Sequence, residues 1–303
     1  MSWNDGFEYE TRIGPEAEGE SVLGYLTRRY RHSGAPEWAA RIAAGLVILD
    51  SAQASAGSVL RRGQTLVWRR PRWQEPAAPA SFVVIEEDDD FVAVAKPAGL
   101  PTLPGANFVE TTLLHEVRRY APGSAPVHRL GRWTSGVVLF GRTKEARASL
   151  SRQWATGEVG KCYRAFAGGS PTHDEFTIAH PIGPVPHPLL GSVHAASPDG
   201  KPAASLVTVL ERRAGSFLCN VRIATGRPHQ IRIHLAAAGH PLVGDPLYEA
   251  GGAPLPDSRA VPGDPGYQLH AAELTFRHPR TGHVVRIVCQ APRDLRPADP
   301  PYP

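Results

Sequence analysis

The chain has 303 residues, 42% hydrophobic and 20% charged, with 33 Lys plus Arg against 29 Asp plus Glu for a net charge of +4. That length suits one sizeable core plus an accessory module, and the globular mixture contains no apolar run that would span a membrane. Cys162, Cys219 and Cys289 stand alone without CxxC spacing, which argues against a disulfide framework and a structural zinc site.

In chain order, the opening MSWNDGFEYETRIGPEAEGE is acidic and has neither the apolar run of a secretory signal nor the basic character of a transit peptide. Residues 1–19 therefore read as a flexible acidic tail on a cytoplasmic protein. Val22, Tyr25, Leu26 and Tyr30 recur at helical spacing. Pro36 opens a second short helix, in which Trp38 and Ile42 share a face and which Gly45 stops. Leu46–Leu49 and Leu66–Trp68 read as short strands around a turn-rich stretch ending at Arg62-Gly63. From Tyr25 to Trp73 stand Arg28, Arg29, Arg31, Arg41, Arg61, Arg62, Arg69, Arg70 and Arg72, opposed only by Glu37 and Asp50. A solvated face would explain such clustering, but on a compact module it reads as a phosphate-binding surface. Residues 71–80, PRWQEPAAPA, read as a linker.

Beyond it, FVVIE and FVAVA flank the acidic turn Asp88-Asp89-Asp90 and read as a hairpin. Further strands are expected at Val137–Gly141, Tyr163–Ala167, Ala203–Leu210, Phe217–Ala224, Leu269–Phe276 and Val284–Cys289. Helices are expected at Thr111–Tyr120, Lys144–Trp154 and Pro228–Ala238, and the proline-dense stretches Pro181–Pro188 and Ala253–Pro265 as surface loops. Neighbouring strands joined by short turns, with a few helices between, predict an α+β domain over 81–303 with a mixed, largely antiparallel sheet.

Four segments carry a family pattern: AKPAGLPTLPG (Ala95–Gly105), HRLGRWTSGVVLFGRT (His128–Thr143), KCYRAFAGG (Lys161–Gly169) and TGRPHQIRIHLAAAGHPLVGDPLY (Thr225–Tyr248). In order and spacing they resemble the RluA-type RNA pseudouridine synthases, and the element order of 20–70 resembles the small alpha-L, S-four-like RNA-binding module. The resemblance implies isomerisation of uridine to pseudouridine in structured RNA, ribosomal or transfer, by base extrusion. It implies no metal or organic cofactor, and a monomer with RNA as its partner.

Carried over by position, the resemblance makes Arg129 the residue that fills the space left by the everted base. Tyr163 becomes the platform under the uracil, and Arg232 the cation that pairs with the catalytic aspartate. His128, Arg132 and Arg227 join Arg129 as expected RNA contacts, with Arg28, Arg29, Arg41, Arg61 and Arg62 in the N-terminal module. The aspartate itself is missing: the family's HRLD reads here His128-Arg129-Leu130-Gly131. Glycine can neither attack nor take a proton. Three readings stay open: a synthase in which another group compensates, a catalytically silent RNA-binding protein on the synthase fold, and a site adapted to a different reaction or a small anion. Arg232, deprived of its usual partner, needs another anion, solvent or backbone carbonyls.

Overall fold

The structure, a computed structural model, describes residues 3–30, 32–258, 260 and 263–298. It divides into two compact units, Met1–Ala77 and Ala78–Pro303. In the first, β1 (Phe7–Arg12) precedes helices α1 (Val22–Arg29) and α2 (Ala35–Ala43), then β2 (Val47–Leu49), β3 (Ala52–Gln53) and β4 (Thr65–Arg70). The strands make an antiparallel sheet in the order β1-β4-β2-β3. The apolar faces read from the sequence do meet: Val22, Tyr25 and Leu26 of α1 and Trp38 and Ile42 of α2 close over Val47, Leu60 and Leu66.

The tail expected over residues 1–19 is overturned, because its acidic composition concealed a strand alternation. Phe7, Tyr9 and Thr11 interleave with Glu8 and Glu10, and β1 pairs with β4 in continuous register from Phe7↔Arg70 to Arg12↔Thr65. Tyr9 stacks on Trp68 with ring centroids 5.1 Å apart, Glu8 ion-pairs with Arg69 at 2.7 Å, and Ile13 and Ala17 enter the core. The linker expected over 71–80 is likewise shortened. Asn4 donates to Trp73 O and to Glu75 Oε1, and accepts from Trp73 N–H, so the first half of that stretch is fastened to the N-terminal segment.

The second unit runs β5 (Val83–Glu87), β6 (Phe91–Lys96), α3 (Leu113–Tyr120), β7 (Ala125–Pro126), β8 (Ser135–Gly141), α4 (Lys144–Thr156) and β9 (Gly160–Gly168). It continues through β10 (Glu175–Ile178), β11 (Ile182–His187), β12 (Gly191–Ala196), β13 (Ser205–Arg213), β14 (Ser216–Ile223), α5 (Gln230–Ala237), β15 (Leu269–Arg277) and β16 (Val284–Val288). Its ten-stranded sheet has the order β10-β13-β14-β9-β15-β8-β6-β5, with β16 on β15 and β7 on β8. The β15–β8 pair is parallel and the others antiparallel, an α+β fold with a mixed, largely antiparallel sheet.

Strand β8 is buried along its whole length because both sheet faces are covered. Val138 and Phe140 pack with Leu113 and Val117 of α3, whereas Val137 and Leu139 pack with Leu150 of α4. Thr112 and Thr143 cap these helices by accepting from His115 and Ala146 N–H, and Gly157, at φ 78°, ends α4 in the left-handed conformation.

Pro181–Pro188, read as a loop, is another correction: Ile182–His187 is β11 and pairs with β12. Ile182 N–H bonds Lys201 O, so this alternate set of amides points away from β12. Pro184 and Pro186 belong to that set and sit where no ladder donor is required. Among the described residues no helix is long and apolar enough to cross a membrane.

Candidate active site

Lys96, 1% exposed at the end of β6, donates through Nζ to Pro97 O at 2.9 Å, Leu100 O at 2.7 Å and Arg132 O at 2.9 Å. Burial, then the Arg132 charge, push its pKa down to about 7, while three carbonyl acceptors favour the ammonium form. Thr102 adds a reciprocal pair with Leu130, donating to its carbonyl at 3.0 Å and accepting its N–H at 3.3 Å. Gly99 N–H bonds Arg132 O at 2.9 Å. The AKPAGLPT segment thus grips residues 130–132 by their backbone.

His128 precedes the gripped turn. Its Nε2 accepts from Leu139 N–H at 3.0 Å, which assigns the proton to Nδ1, and its ring stacks on Trp154 at 4.2 Å. Burial, then the charge of Lys161, push its pKa down to about 3. His128, named above as an expected RNA contact, thus lines the cavity as a neutral ring that also positions the loop.

Across from this loop lies α5, buried on nearly every side despite the polar residues in QIRIHLAA. It begins at His229 in a left-handed conformation, φ 53°. Tyr248 donates its hydroxyl to His194 O at 2.8 Å, so His229 Nδ1 donates to the Tyr248 oxygen at 2.8 Å. Burial, then the nearby Arg232 charge, lower the pKa of His229 to about 3. Arg232 makes a two-pronged ion pair with Asp245, Nε to Oδ2 and Nη2 to Oδ1, both 2.7 Å, with side chains 3% and 1% exposed. Burial opposes the Arg232 charge, but the bonds and charge of Asp245 outweigh it and raise the pKa. The anion that Arg232 needed is thus Asp245, which also holds its own turn by accepting from Leu247 and Tyr248 N–H.

Loop, strand β9 and helix α5 enclose a cavity of about 330 Å³. Arg129, Gly131, Tyr163, Arg227 and Arg232 all line it, as do His128, Lys161, His229 and Tyr267. Arg129 is exposed and makes no ion pair among the described residues. Tyr163 packs against apolar clusters on two sides, and burial pushes its pKa up to about 12. Arg227 donates to Pro202 O at 3.2 Å. Arg132 does not line the cavity: its Nε donates to Gly99 O at 2.9 Å and its guanidinium lies 4.4 Å from the Phe108 ring. Among the described residues no aspartate or glutamate lines the cavity.

A Cβ added at Gly131 would first meet the Tyr267 hydroxyl, 3.1 Å away, then Thr134 Oγ1 at 3.5 Å. Tyr267, which carries no motif signature in the sequence, lies with its ring 4.2 Å from the Arg232 guanidinium. Lys96, Lys161, His229 and Asp245 are further members of this neighbourhood that the sequence offered only as parts of motifs.

Arg28 is paired with Glu20 at 2.5 Å, Arg29 lies over the Tyr30 ring, and Arg41 sits against Trp38 and Trp68 at 4.6 and 5.0 Å. Arg61 and Arg62 are exposed at a turn, and Arg31 lies outside the described residues. Asp88, Asp90 and His278 form a compact cluster. His278 Nδ1 accepts from Arg280 and Thr281 N–H, leaving Nε2 to donate to Asp88, while Arg280 binds Asp90. The group is satisfied as a turn brace.

Residues 90–237 match the family model described as RNA pseudouridylate synthase. An uncharacterized RNA pseudouridine synthase of Synechocystis sp. is 40% identical over 276 residues, covering 90% of this chain and 95% of its own. The ribosomal large subunit pseudouridine synthase D of Neisseria meningitidis is 34% identical over 308 residues, covering 95% of this chain and 81% of its own. The solved structure of human RNA pseudouridylate synthase domain containing 1 aligns with a TM-score of 0.56 at 26% identity, over 72% of this chain and 87% of its own. With that coverage, and with a mixed sheet carrying the motifs around one cavity, the chain belongs to the RNA pseudouridine synthase family.

Proposed function

We propose that the protein converts uridine to pseudouridine in structured RNA, ribosomal RNA before transfer RNA given its likeness to a ribosomal large subunit synthase. The nucleotide swings into the cavity, the exposed Arg129 takes its place in the RNA, and the Tyr163 ring lies against the uracil, leaving it free to turn between bond breaking and bond making. Residues 20–70, read as an alpha-L, S-four-like module, add phosphate contacts through Arg29, Arg61 and Arg62. One observation carries this reading: Arg129, Tyr163, Arg232 and Gly131, distant in sequence, line the same cavity.

The second reading, a silent RNA-binding protein, draws on the lack of a carboxylate among the described lining residues. Unmodified ribosomal and transfer RNA transcripts, incubated with the protein and with Gly131→Asp, then mapped chemically for pseudouridine, separate the two. Product from the unmodified protein supports the synthase. Salt-dependent binding by both proteins, with product from the variant alone, supports the silent reading.

A further inference from the structure

We infer that Tyr267 supplies the catalytic oxygen that the aspartate at position 131 supplies in the family pattern. The inference rests on the synthase reading above and concerns which group does the chemistry.

Three placements support it. The Tyr267 hydroxyl stands where a side chain growing from Gly131 would go, 3.1 Å from the added Cβ. The ring lines the cavity that also holds Tyr163, although Tyr267 as a whole is only 6% exposed. Its face lies 4.2 Å from the Arg232 guanidinium, the cation that partners the aspartate in the family pattern. Glycine at 131 is what allows this: the backbone there is not left-handed, so the missing side chain answers to no conformational need, and it leaves room for the phenol. The Tyr267 hydroxyl has one hydrogen-bond partner among the described residues, Thr134 Oγ1, at a long 3.4 Å. That loose bond leaves the oxygen available to a substrate. Arg232, meanwhile, keeps its charge through Asp245 without any help from residue 131.

Tyrosine is an established covalent nucleophile at a sugar carbon, and the isomerisation balances through it. In the first step Oη bonds to ribose C1′ as the C1′–N1 bond breaks, and the phenolic proton leaves on the base as neutral uracil. The base turns on Tyr163. In the second step C5 attacks C1′, the C1′–Oη bond breaks, and the C5 proton returns to the phenolate. No oxidant, reductant or co-reactant is consumed.

The test is Tyr267→Phe, which keeps the ring over Arg232 and removes only the oxygen. Pseudouridine formation on a responsive transcript should fall at least about 100-fold, the scale of a lost acid, base or nucleophile, with RNA affinity unchanged. Gly131→Asp placed on Tyr267→Phe, where the crowding at 3.1 Å is relieved, should regain turnover. A Tyr267→Phe protein that keeps more than about a tenth of its turnover overturns the inference and leaves the synthase reading standing. Loss of RNA binding together with turnover also overturns it, since the hydroxyl would then serve binding. No product from the unmodified protein on any transcript removes the synthase reading, and the inference with it.

Discussion

The loop at residues 128–134 and helix α5 face the same cavity but are held by opposite means. Loop backbone atoms are fixed by groups outside the loop: Lys96 and Gly99 on Arg132 O, Thr102 on both polar groups of Leu130. Helix α5 is fixed through its own side chains, Arg232 on Asp245, His234 on Ser205 and His180, Gln230 on Ala204. Where the turn at 130–132 is held chiefly by its main chain, position 131, which takes no part in the grip, tolerates a change of side chain. A helix held by buried polar side chains does not. That contrast explains how position 131 can be a glycine while the surrounding cavity keeps its walls.

The largest expected effect tests the helix side. Asp245→Ala leaves the Arg232 guanidinium charged, 3% exposed and without its carboxylate, and should cost about 3–5 kcal/mol in denaturant unfolding. A loss below about 1 kcal/mol, the scale of an exposed pair, would show that the helix does not depend on this pair. Lys96→Met tests the loop side. It strips the side-chain donor from three carbonyls, one of which, Arg132 O, retains Gly99 N–H. We expect a loss of roughly 1–3 kcal/mol, with faster hydrogen exchange at Gly99.

Acid should strike both regions together, since each carries one half-buried neutral imidazole. His128 and His229 have pKa values pushed down to about 3, whereas a free imidazole in the unfolded chain titrates near about 6.5. Between those values the unfolded chain binds more protons than the folded one, so stability falls as pH falls through that window and is fully present above about 6.5. Urea midpoints measured downward from neutral pH should decline, and His128→Gln should flatten part of that decline. An unchanged slope would place the acid lability elsewhere.

Much of this was legible in the chain itself. Strand β8 and the FVVIE–FVAVA hairpin announced themselves by apolar runs and turn residues, and helices α3 and α4 fell within two residues of the expected bounds. Tyr163, Arg129 and Arg232 were singled out through the family resemblance, and these residues do meet at one cavity. Strand β1 was missed because charge was weighed ahead of alternation, and β11 because a proline run speaks only through which side of the ladder each proline takes. Tyr267 was invisible for another reason. It lies 136 positions after Gly131 (267 less 131 in the sequence numbering), and only the pairing of β15 beside β8 brings the two together.

Smaller effects sharpen the loop side. Gly131→Ala places a methyl 3.1 Å from the Tyr267 hydroxyl, which must give by a few tenths of an ångström. With no left-handed strain at that position, the loss should stay within about 1 kcal/mol; a larger one would mean that the loop depends on its side chains after all.

The smallest stability change is expected at Arg129→Ala, and its neighbour supplies the control. Arg132 donates to Gly99 O and lies against Phe108, so its removal loosens the grip on the loop. Arg129, one residue before the gripped turn, is exposed at the cavity and makes no hydrogen bond or ion pair among the described residues. Truncating it should leave the unfolding midpoint within about 0.5 kcal/mol of the unmodified protein. It should also weaken RNA binding and reduce the slope of log affinity against log salt by roughly one. Equal losses of stability from Arg129→Ala and Arg132→Ala would mean that Arg129 braces its own loop, and it could not then be the residue that enters the RNA.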